Sequence, residues 1–141
     1  MSYDFYGSDN CSVSPVNSDF KGIESPKDLY DALLGIWCRY SCAPRLRDKW
    51  SPDNPTLGQC SITAFLVQDI FGGKVLGVLR PGGNYHCFNQ VGTAIFDLTS
   101  EQFGDEVLDY SNAPEQLREA HFAGSEKLRR YTYLRDRLLD R

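Results

Sequence analysis

The sequence predicts one α+β domain, residues 25–141, preceded by an irregular N-terminal arm, residues 1–24. Apolar residues recur at three- and four-residue spacing after Ser25, which is typical of an amphipathic helix. A second, almost entirely apolar segment ends at Gly72-Gly73, and two alternating segments flank Gly92-Thr93 as in a hairpin. Helices and strands therefore share 141 residues, a length that fits a single domain.

The predicted helices have recognisable starts and ends. The first begins at Ser25-Pro26, a capping residue followed by proline in the first turn, and extends to about Tyr40. The second spans Cys60 to Phe71 and is expected to be buried at the centre of the domain, because apolar side chains occupy nearly all its faces. The C-terminal third is predicted to be helical over Pro114 to about Phe122 and over Ser125 to Leu139.

Three strands are predicted between the second helix and the C-terminal helices. They span Lys74 to Arg80, Tyr85 to Val91 and Ala94 to Leu98. The glycines of residues 81–84 indicate a turn between the first two strands. The capping-box pattern of residues 99–102 predicts a short helical turn after the last. We expect a small antiparallel sheet packed on the helix that begins at Cys60.

The N-terminal arm is rich in Ser, Asp, Asn and Gly, with the aromatic residues Tyr3, Phe5, Tyr6 and Phe20 scattered through it. The sequence leaves open whether those rings dock on the domain or whether part of the arm is disordered. A cleft cover, a partner contact and a tail are equally open roles for it.

Composition argues against several classes of function. The chain carries 15 Lys and Arg against 19 Asp and Glu, a net charge of −4 that offers no attraction to phosphate backbones or anionic lipid. No apolar run is long enough to cross a membrane, and the first ten residues lack the basic region of a signal peptide. Five cysteines, an odd number without a C-x-x-C pair, favour reduced thiols over disulfides or a metal site. We therefore expect a cytoplasmic protein with no nucleic-acid partner, no membrane partner and no cofactor.

Cys60, His86 and Asp97 are the candidate catalytic residues. A thiol is nucleophilic as the thiolate, and a helix N-terminus stabilises that anion through its dipole and its free N–H groups. Cys60 stands where the buried helix is predicted to begin, after a glycine that allows a tight turn. Its neighbour Gln59 carries an amide that could donate to an oxyanion, as could the backbone N–H groups there.

The predicted hairpin brings His86 and Asp97 to one face of the sheet. A two-residue turn at Gly92-Thr93 pairs Asp97 with Phe88 and places His86 diagonally, roughly 7–8 Å away between backbones. An imidazole spans that gap, so Asp97 is expected to hold one ring nitrogen while the other faces the thiol. A turn one step earlier would place the two residues directly opposite each other, and a three-residue turn would put them on opposite faces.

Other residues are candidates for lesser roles. The predicted substrate-binding residues are Asn89, Trp50 and Gln102. Packing is the alternative role for Trp50. Cys87 is the nearest rival nucleophile, but it adjoins His86 on the strand, so we expect it to point to the opposite face, toward the core. His121 lies in a predicted C-terminal helix without an obvious acidic partner.

These motifs resemble a known family. The pieces are Trp50…Pro55-x-x-Gly58-Gln59-Cys60, His86-x-x-Asn89, Asp97-Leu98-Thr99-x-Glu101-Gln102-Phe103 and Leu128-Arg129-Arg130-Tyr131-x-x-Leu134. Together they are similar to the YunG-like family of small bacterial proteins over residues 50–138. The order Cys, His, Asp also resembles the wider papain-like superfamily, which includes transglutaminase-like and NlpC/P60-like domains. One departure is Cys87, where an aromatic residue is expected after the histidine.

The resemblance implies a papain-like, NlpC/P60-like fold, in which the thiol begins a helix packed on the sheet that carries the histidine. The first functional hypothesis is a cysteine-dependent acyl-transfer enzyme: a peptidase, amidase, deamidase or transamidase acting on a peptide, a protein or a small amide or thioester. The second is a non-catalytic binding module on the same fold, with Cys60 structural. A third, a redox-sensing thiol, needs Cys87 or Cys38 within reach of Cys60.

Overall fold

A computed structural model of the chain describes residues 4–141, so Tyr3 of the arm lies outside the described residues. Within them the protein is an α+β fold in which α-helices pack on one face of a three-stranded antiparallel sheet. The main apolar core combines side chains from the arm, the long helices and one face of the sheet. A smaller cluster around Phe88 covers the other face.

The first helix, α1, spans Pro26–Leu33. Its predicted start is confirmed, because the Ser25 side chain accepts a hydrogen bond from the Asp28 N–H at 3.2 Å. The predicted extension to Tyr40 is wrong: the chain turns after Leu33, whose carbonyl accepts from the N–H groups of Ile36 and Trp37 at 2.9 and 2.8 Å. That turn directs the Trp37 indole into the core, where it donates to the Thr63 hydroxyl at 3.0 Å.

The second helix, α2, spans Cys60–Phe71 as predicted, and nine of its residues are buried. It ends at Gly72, which has a φ of 80°. Between α1 and α2 the loop contains a 3-10 helix, Pro44–Lys49, followed by turns. The second helix is therefore the central element of the core, with both ends set by glycines.

The sheet is formed by β1, Lys74–Leu79, β2, Tyr85–Val91, and β3, Ala94–Phe96, in that order. The predicted two-residue turn and its register are confirmed: Val91 pairs with Ala94 and Asn89 with Phe96. The third strand ends two residues before the predicted Leu98. The next residue, Asp97, bridges to the arm, and its N–H donates to the Tyr6 carbonyl at 3.0 Å.

The segment after the sheet differs from the prediction in one important respect. A 3-10 helix, Ser100–Phe103, follows β3, then a loop, then the short helix α3, Arg118–His121, and the long helix α4, Ser125–Leu139. The predicted helix from Pro114 is wrong over its first turn. The Pro114 carbonyl accepts from Gly77 N–H at 2.9 Å, and Gln116 N–H donates to the Val75 carbonyl at 2.8 Å. This strand-like segment satisfies the unpaired edge of β1, which outweighs local helix propensity.

The described part of the arm packs on the domain. Phe5 and Phe20 are buried, and the Val16 N–H donates to the carbonyl of Ile70 at the end of α2. The ring of Tyr6 stacks on Tyr110, with 4.2 Å between centroids. The sequence left open whether the aromatic rings of the arm dock on the domain; Phe5, Tyr6 and Phe20 do dock on it.

Gly58 is the position where the approach to α2 requires glycine. Its φ is +72°, and a Cβ there would lie 2.5 Å from the Cys42 sulfur and 2.9 Å from the Ala43 nitrogen. Gly92 is a matched control, because its φ is also positive, +61°, but nothing lies within 4 Å of an added Cβ.

We therefore predict that Gly58→Ala lowers the free energy of unfolding by about 2–3 kcal/mol, from left-handed backbone strain and steric overlap together. Gly92→Ala should lower it by about 1 kcal/mol, from backbone strain alone. Urea unfolding of both variants measures the difference. Equal losses would contradict a tight approach at Gly58.

Candidate active site

The start of α2 places Cys60 at the wall of a cavity. Gly58, in the left-handed conformation, turns the chain into the helix, and Cys60 is its first helical residue, with a half-buried side chain. The helix is held against the sheet by Asn89, whose side-chain N–H donates to the Ala64 carbonyl at 2.9 Å. The thiol therefore has a fixed position relative to β2.

His86 of β2 and Asp97 at the end of β3 form a buried pair. The Nε2 of His86 lies 2.6 Å from Oδ2 of Asp97, and the two residues are 3% and 1% exposed. The carboxylate is fully engaged: Oδ2 also accepts from the Tyr110 hydroxyl at 2.7 Å, and Oδ1 accepts from the Thr99 N–H at 3.1 Å. This network fixes the imidazole ring and leaves its Nδ1 for the thiol.

The Thr99 hydroxyl also belongs to this network. It donates to Oδ1 of Asp97 at 3.3 Å, so it does not cap the 3-10 helix as the predicted capping box requires. In a capping box the Gln102 side chain would accept from the Thr99 N–H; here its amide donates to the Thr99 carbonyl at 3.0 Å instead. The buried carboxylate needs hydrogen-bond donors more than the exposed helix turn does.

Phe103 and Arg80 cover the imidazole. The ring of Phe103 meets His86 edge-on, with 4.7 Å between centroids, and the Arg80 guanidinium lies 4.6 Å from the centre of the Phe103 ring. Glu106 holds Arg80 through two hydrogen bonds of 3.0 and 2.9 Å. These layers exclude water from the His86–Asp97 contact.

The electrostatics favour a protonated His86. Burial by itself would lower the pKa of His86, but the charge and hydrogen bond of Asp97, and then those of Cys60, outweigh burial and raise it to about 10. The pKa of Cys60 moves the other way. A hydrogen bond from the Cys87 side chain, opposed by burial and aided by His86, lowers it well below its ordinary value. The favoured state at neutral pH is therefore an imidazolium beside a thiolate.

Cys87, the nearest rival nucleophile to Cys60, is predicted to point toward the core. It is buried, 1% exposed, and belongs to the main apolar core as expected. Its contact with Cys60 and burial raise the pKa of the Cys87 thiol well above the ordinary value. Cys87 therefore keeps its proton beside a Cys60 thiol of lowered pKa, which argues against it as a rival nucleophile.

A cavity of about 830 Å³ opens in front of the thiol. Cys60, Ser61 and His86 line its floor. Its walls come from the 3-10 helix Pro44–Lys49, the β1–β2 turn, the 3-10 helix Ser100–Phe103 and the region of α3 and the start of α4. The volume suits a small molecule or a few residues of a peptide.

Comparison with known proteins identifies the family. The YunG protein family matches residues 25–141. The chain belongs to the YunG family. It is also 33% identical to the uncharacterised protein YunG of Bacillus subtilis (strain 168) over 104 residues, which cover 74% of this chain and 83% of that protein. No solved structure matches.

The resemblance to the YunG family found in the motifs is thus confirmed, and the predicted site residues can be placed in this family member one by one. Of the residues predicted to contact substrate, Gln102 lines the cavity and accepts from the Gly58 N–H at 3.4 Å. Asn89 is buried in its contact with α2 and does not reach the cavity. Trp50 also lies away from it, because its indole donates to the Pro55 carbonyl at 3.0 Å.

The predicted oxyanion donor Gln59 does not face the cavity. Its side chain is fully buried, and its N–H donates to the Cys38 carbonyl at 3.1 Å. Its side-chain oxygen is buried without a hydrogen-bond partner. The side chain thus braces the loop before α2. The spacing of the motif does not indicate this orientation, because it depends on the contact with Cys38, 21 residues earlier in the chain.

Tyr110 and His121 join the site without a sequence motif. Tyr110 reaches Asp97 from a loop beyond the sheet, which no local pattern indicates. His121 lines the cavity opposite the thiol. Its Nδ1 lies 3.0 Å from the Lys127 ammonium and its Nε2 lies 3.0 Å from Oε1 of Gln116. Because an ammonium only donates, Nδ1 is the acceptor and the proton lies on Nε2.

Within residues 4–141 no group of three or more His, Cys, Asp or Glu side chains is arranged to hold a metal ion. The cysteines at positions 38 and 42 lie outside the helices and strands, and all five thiols are free. Over the same residues, each helix is too short or too polar to cross a bilayer.

The hydrogen bond from Cys87 can be tested with two substitutions of similar size. Cys87→Ala removes the donor and should raise the pKa of Cys60 by about one unit, whereas Cys87→Ser retains an O–H donor and should leave it closer to the wild-type value. The rate of iodoacetamide labelling of Cys60 against pH measures both. Identical profiles for the two variants would show that Cys87 only fills space.

The Cys60–His86 pair also predicts how the free energy of unfolding depends on pH. In an unfolded chain His loses its proton near pH ~6.5 and Cys near ~8.5, so between these values the unfolded pair holds one proton, on the thiol. The folded pair also holds one, on His86, whose raised pKa is about 10. The pair therefore contributes no pH dependence to the free energy of unfolding in that window.

Cys60→Ser removes the thiol, so above pH ~6.5 the unfolded variant holds no proton on this pair. The folded variant still holds one, because Asp97 keeps His86 protonated. Its free energy of unfolding should then fall, relative to wild type, by up to about 1.4 kcal/mol per pH unit above pH ~6.5. Urea unfolding at pH 6.5, 7.5 and 8.5 measures the difference. Parallel curves would contradict a protonated His86.

Proposed function

We propose that this protein is a cysteine-dependent acyl-transfer enzyme acting on an amide or a thioester. The observation that carries the proposal is the buried contact between His86 and Asp97, which favours an imidazolium beside a thiol of lowered pKa. Such a pair supplies the nucleophile and the general acid that acyl transfer requires. The candidate substrates are a peptide, a protein or a small amide or thioester that fits the cavity.

The proposed reaction has two steps. The Cys60 thiolate attacks the carbonyl carbon, and the imidazolium of His86 gives its Nδ1 proton to the leaving amine or thiol as the bond to the carbonyl breaks. The neutral imidazole then takes a proton from water or from an acceptor amine, which attacks the acyl-enzyme and releases Cys60 as thiolate. Asp97 holds the ring in one orientation throughout and stabilises its charge.

Backbone N–H groups are the proposed donors to the oxyanion. The N–H groups in the first turn of α2 have no intrahelical acceptor, and Cys60 and Ser61 both line the cavity. The helix dipole adds to their effect on a developing negative charge. The Gln59 amide could donate to the oxyanion only after breaking its hydrogen bond to the Cys38 carbonyl, so we propose that it contributes less to oxyanion binding than the backbone N–H groups.

A papain-like placement is part of this proposal. Its support is the chain order Cys60, His86, Asp97, with the thiol at the start of a helix that packs on the antiparallel sheet carrying the histidine. This is the arrangement that the papain-like resemblance implies. We also propose a cytoplasmic location, because a thiolate enzyme needs the reducing conditions in which free cysteines persist.

The alternative is a binding module in which the same residues only stabilise the fold. Buried ion pairs perturb pKa values in structural networks as well as in active sites. The distinction lies in whether the thiol forms and releases an acyl group. A binding module would trap acyl reagents slowly or fail to turn them over.

The first test is iodoacetamide labelling of Cys60 between pH 5 and 9, followed by peptide mass spectrometry. At pH ~6 an ordinary thiol is almost fully protonated, so we expect Cys60 of the wild type to react about 100-fold faster than in His86→Ala. Asp97→Asn should give an intermediate rate. Cys38 needs separate assignment, because hydrogen bonds from Tyr133 and Ser41 outweigh burial and lower its pKa as well.

Turnover is followed with p-nitrophenyl acetate as the acyl donor. The enzyme should release p-nitrophenolate continuously and show a transient acetyl group on Cys60, whereas Cys60→Ser should show neither. Cys38→Ser is the matched control and should behave as wild type. A Cys60 that follows the ordinary thiol curve in wild type and in His86→Ala would overturn the proposal and favour the binding module.

A further inference from the structure

The cavity carries a charge opposite to that of the chain. Its lining includes Arg45, Arg80, Lys127 and Arg130, and no Asp or Glu side chain from residues 4–141. The whole chain has 19 acidic residues against 15 Lys and Arg. The composition of the protein therefore does not account for a wall of cations around the thiol.

Two of the four cations are neutralised. Arg80 is held by Glu106, and the Nε of Arg130 lies 3.0 and 2.8 Å from the two carboxylate oxygens of Glu126. Arg130 also donates to the Ser41 carbonyl at 3.1 Å. These two side chains line the cavity, but their positive charges are already paired with carboxylates.

Arg45 and Lys127 have no carboxylate partner in the described part of the chain. Arg45 is exposed on the 3-10 helix beside the cavity. Lys127 bonds to the Nδ1 of His121, which is an uncharged acceptor because burial, and then Lys127 itself, lowers the pKa of that imidazole. Two positive charges therefore face the cavity without a counter-ion.

We propose that the substrate of this site bears a negatively charged group, a carboxylate or a phosphate, which Arg45 and Lys127 bind while the reactive carbonyl meets Cys60. An arginine fork and a lysine ammonium are the side chains that best recognise such anions. The half-buried Lys127 is also screened less than a charge in open solvent. This substrate class rests on the acyl-transfer function proposed above.

Lys127 has a fixed position for this role. The His121 imidazole, with its proton on Nε2 facing Gln116, accepts one ammonium proton and leaves the other two for a ligand. His121 also packs on Phe65 of α2, with 5.2 Å between ring centroids, which ties the ammonium to the helix that carries the thiol. We assign His121 as the residue that positions Lys127.

The test compares two alkylating reagents that differ in charge, iodoacetate and iodoacetamide. Both react with the same thiolate, so the ratio of their rates at Cys60 cancels any change in its pKa. In Arg45→Gln/Lys127→Gln we expect the ratio of iodoacetate to iodoacetamide to fall about threefold or more at low ionic strength. The ratio of the wild type should fall toward the same value in concentrated NaCl.

The matched control is Lys21→Gln/Arg129→Gln, which removes the same charge from exposed residues outside the cavity lining. This variant should keep the wild-type ratio. If the cavity variant does not fold, Arg45→Gln alone and the salt dependence of the wild type provide the same comparison. A ratio that is equal in wild type and cavity variant overturns the proposal, while fast labelling by iodoacetamide would leave the acyl-transfer function standing.

Protection of Cys60 from iodoacetamide then distinguishes the two anions. Acetate and inorganic phosphate are compared at equal ionic strength, with wild type and the cavity variant. If acetate protects Cys60 in the wild type but not in the cavity variant, the substrate group is a carboxylate. If phosphate does so, the group is a phosphate. Protection that is the same in both proteins counts against Arg45 and Lys127 as the binding residues.

Discussion

The buried contact between His86 and Asp97 is the interaction on which the site depends. A carboxylate that is 1% exposed is costly unless it is paired and hydrogen-bonded, and here four groups from three segments satisfy it. The arm supports the same point, since the Tyr6 carbonyl accepts the Asp97 N–H. Removing His86 would leave the buried carboxylate with only neutral donors, Tyr110 and Thr99, and no opposite charge. The fold and the site are therefore stabilised by the same contact.

The thiol is tuned by what surrounds this pair. The imidazolium, the first turn of α2 and the protonated Cys87 each stabilise negative charge on Cys60, and only burial opposes them. Cys87 can do this because it follows His86 on β2 and so lies on the face that packs against α2.

The cavity is lined by connections and by the ends of helices. The loop before α2, the β1–β2 turn and the junction of α3 and α4 each contribute a wall. Arg45 lies on the 3-10 helix before α2 and Lys127 in the first turn of α4, at the surface, where charges are tolerated that a packed core would exclude. The helix and strands of the core position Cys60 and His86, and the surrounding segments shape the cavity in front of them.

The sequence by itself determined the α+β class, the bounds of α2, the hairpin register and the pairing of His86 with Asp97, because periodicity and a two-residue turn are local properties. It placed helix at residues 34–40 and at 114–117, where Trp37 burial and the open edge of β1 prevailed over propensity. Only the tertiary structure showed that Gln59 turns away from the cavity, that Tyr110 and Cys87 join the site, and that unpaired cations surround the thiol. These features depend on contacts between residues far apart in the chain, and no local pattern encodes such contacts.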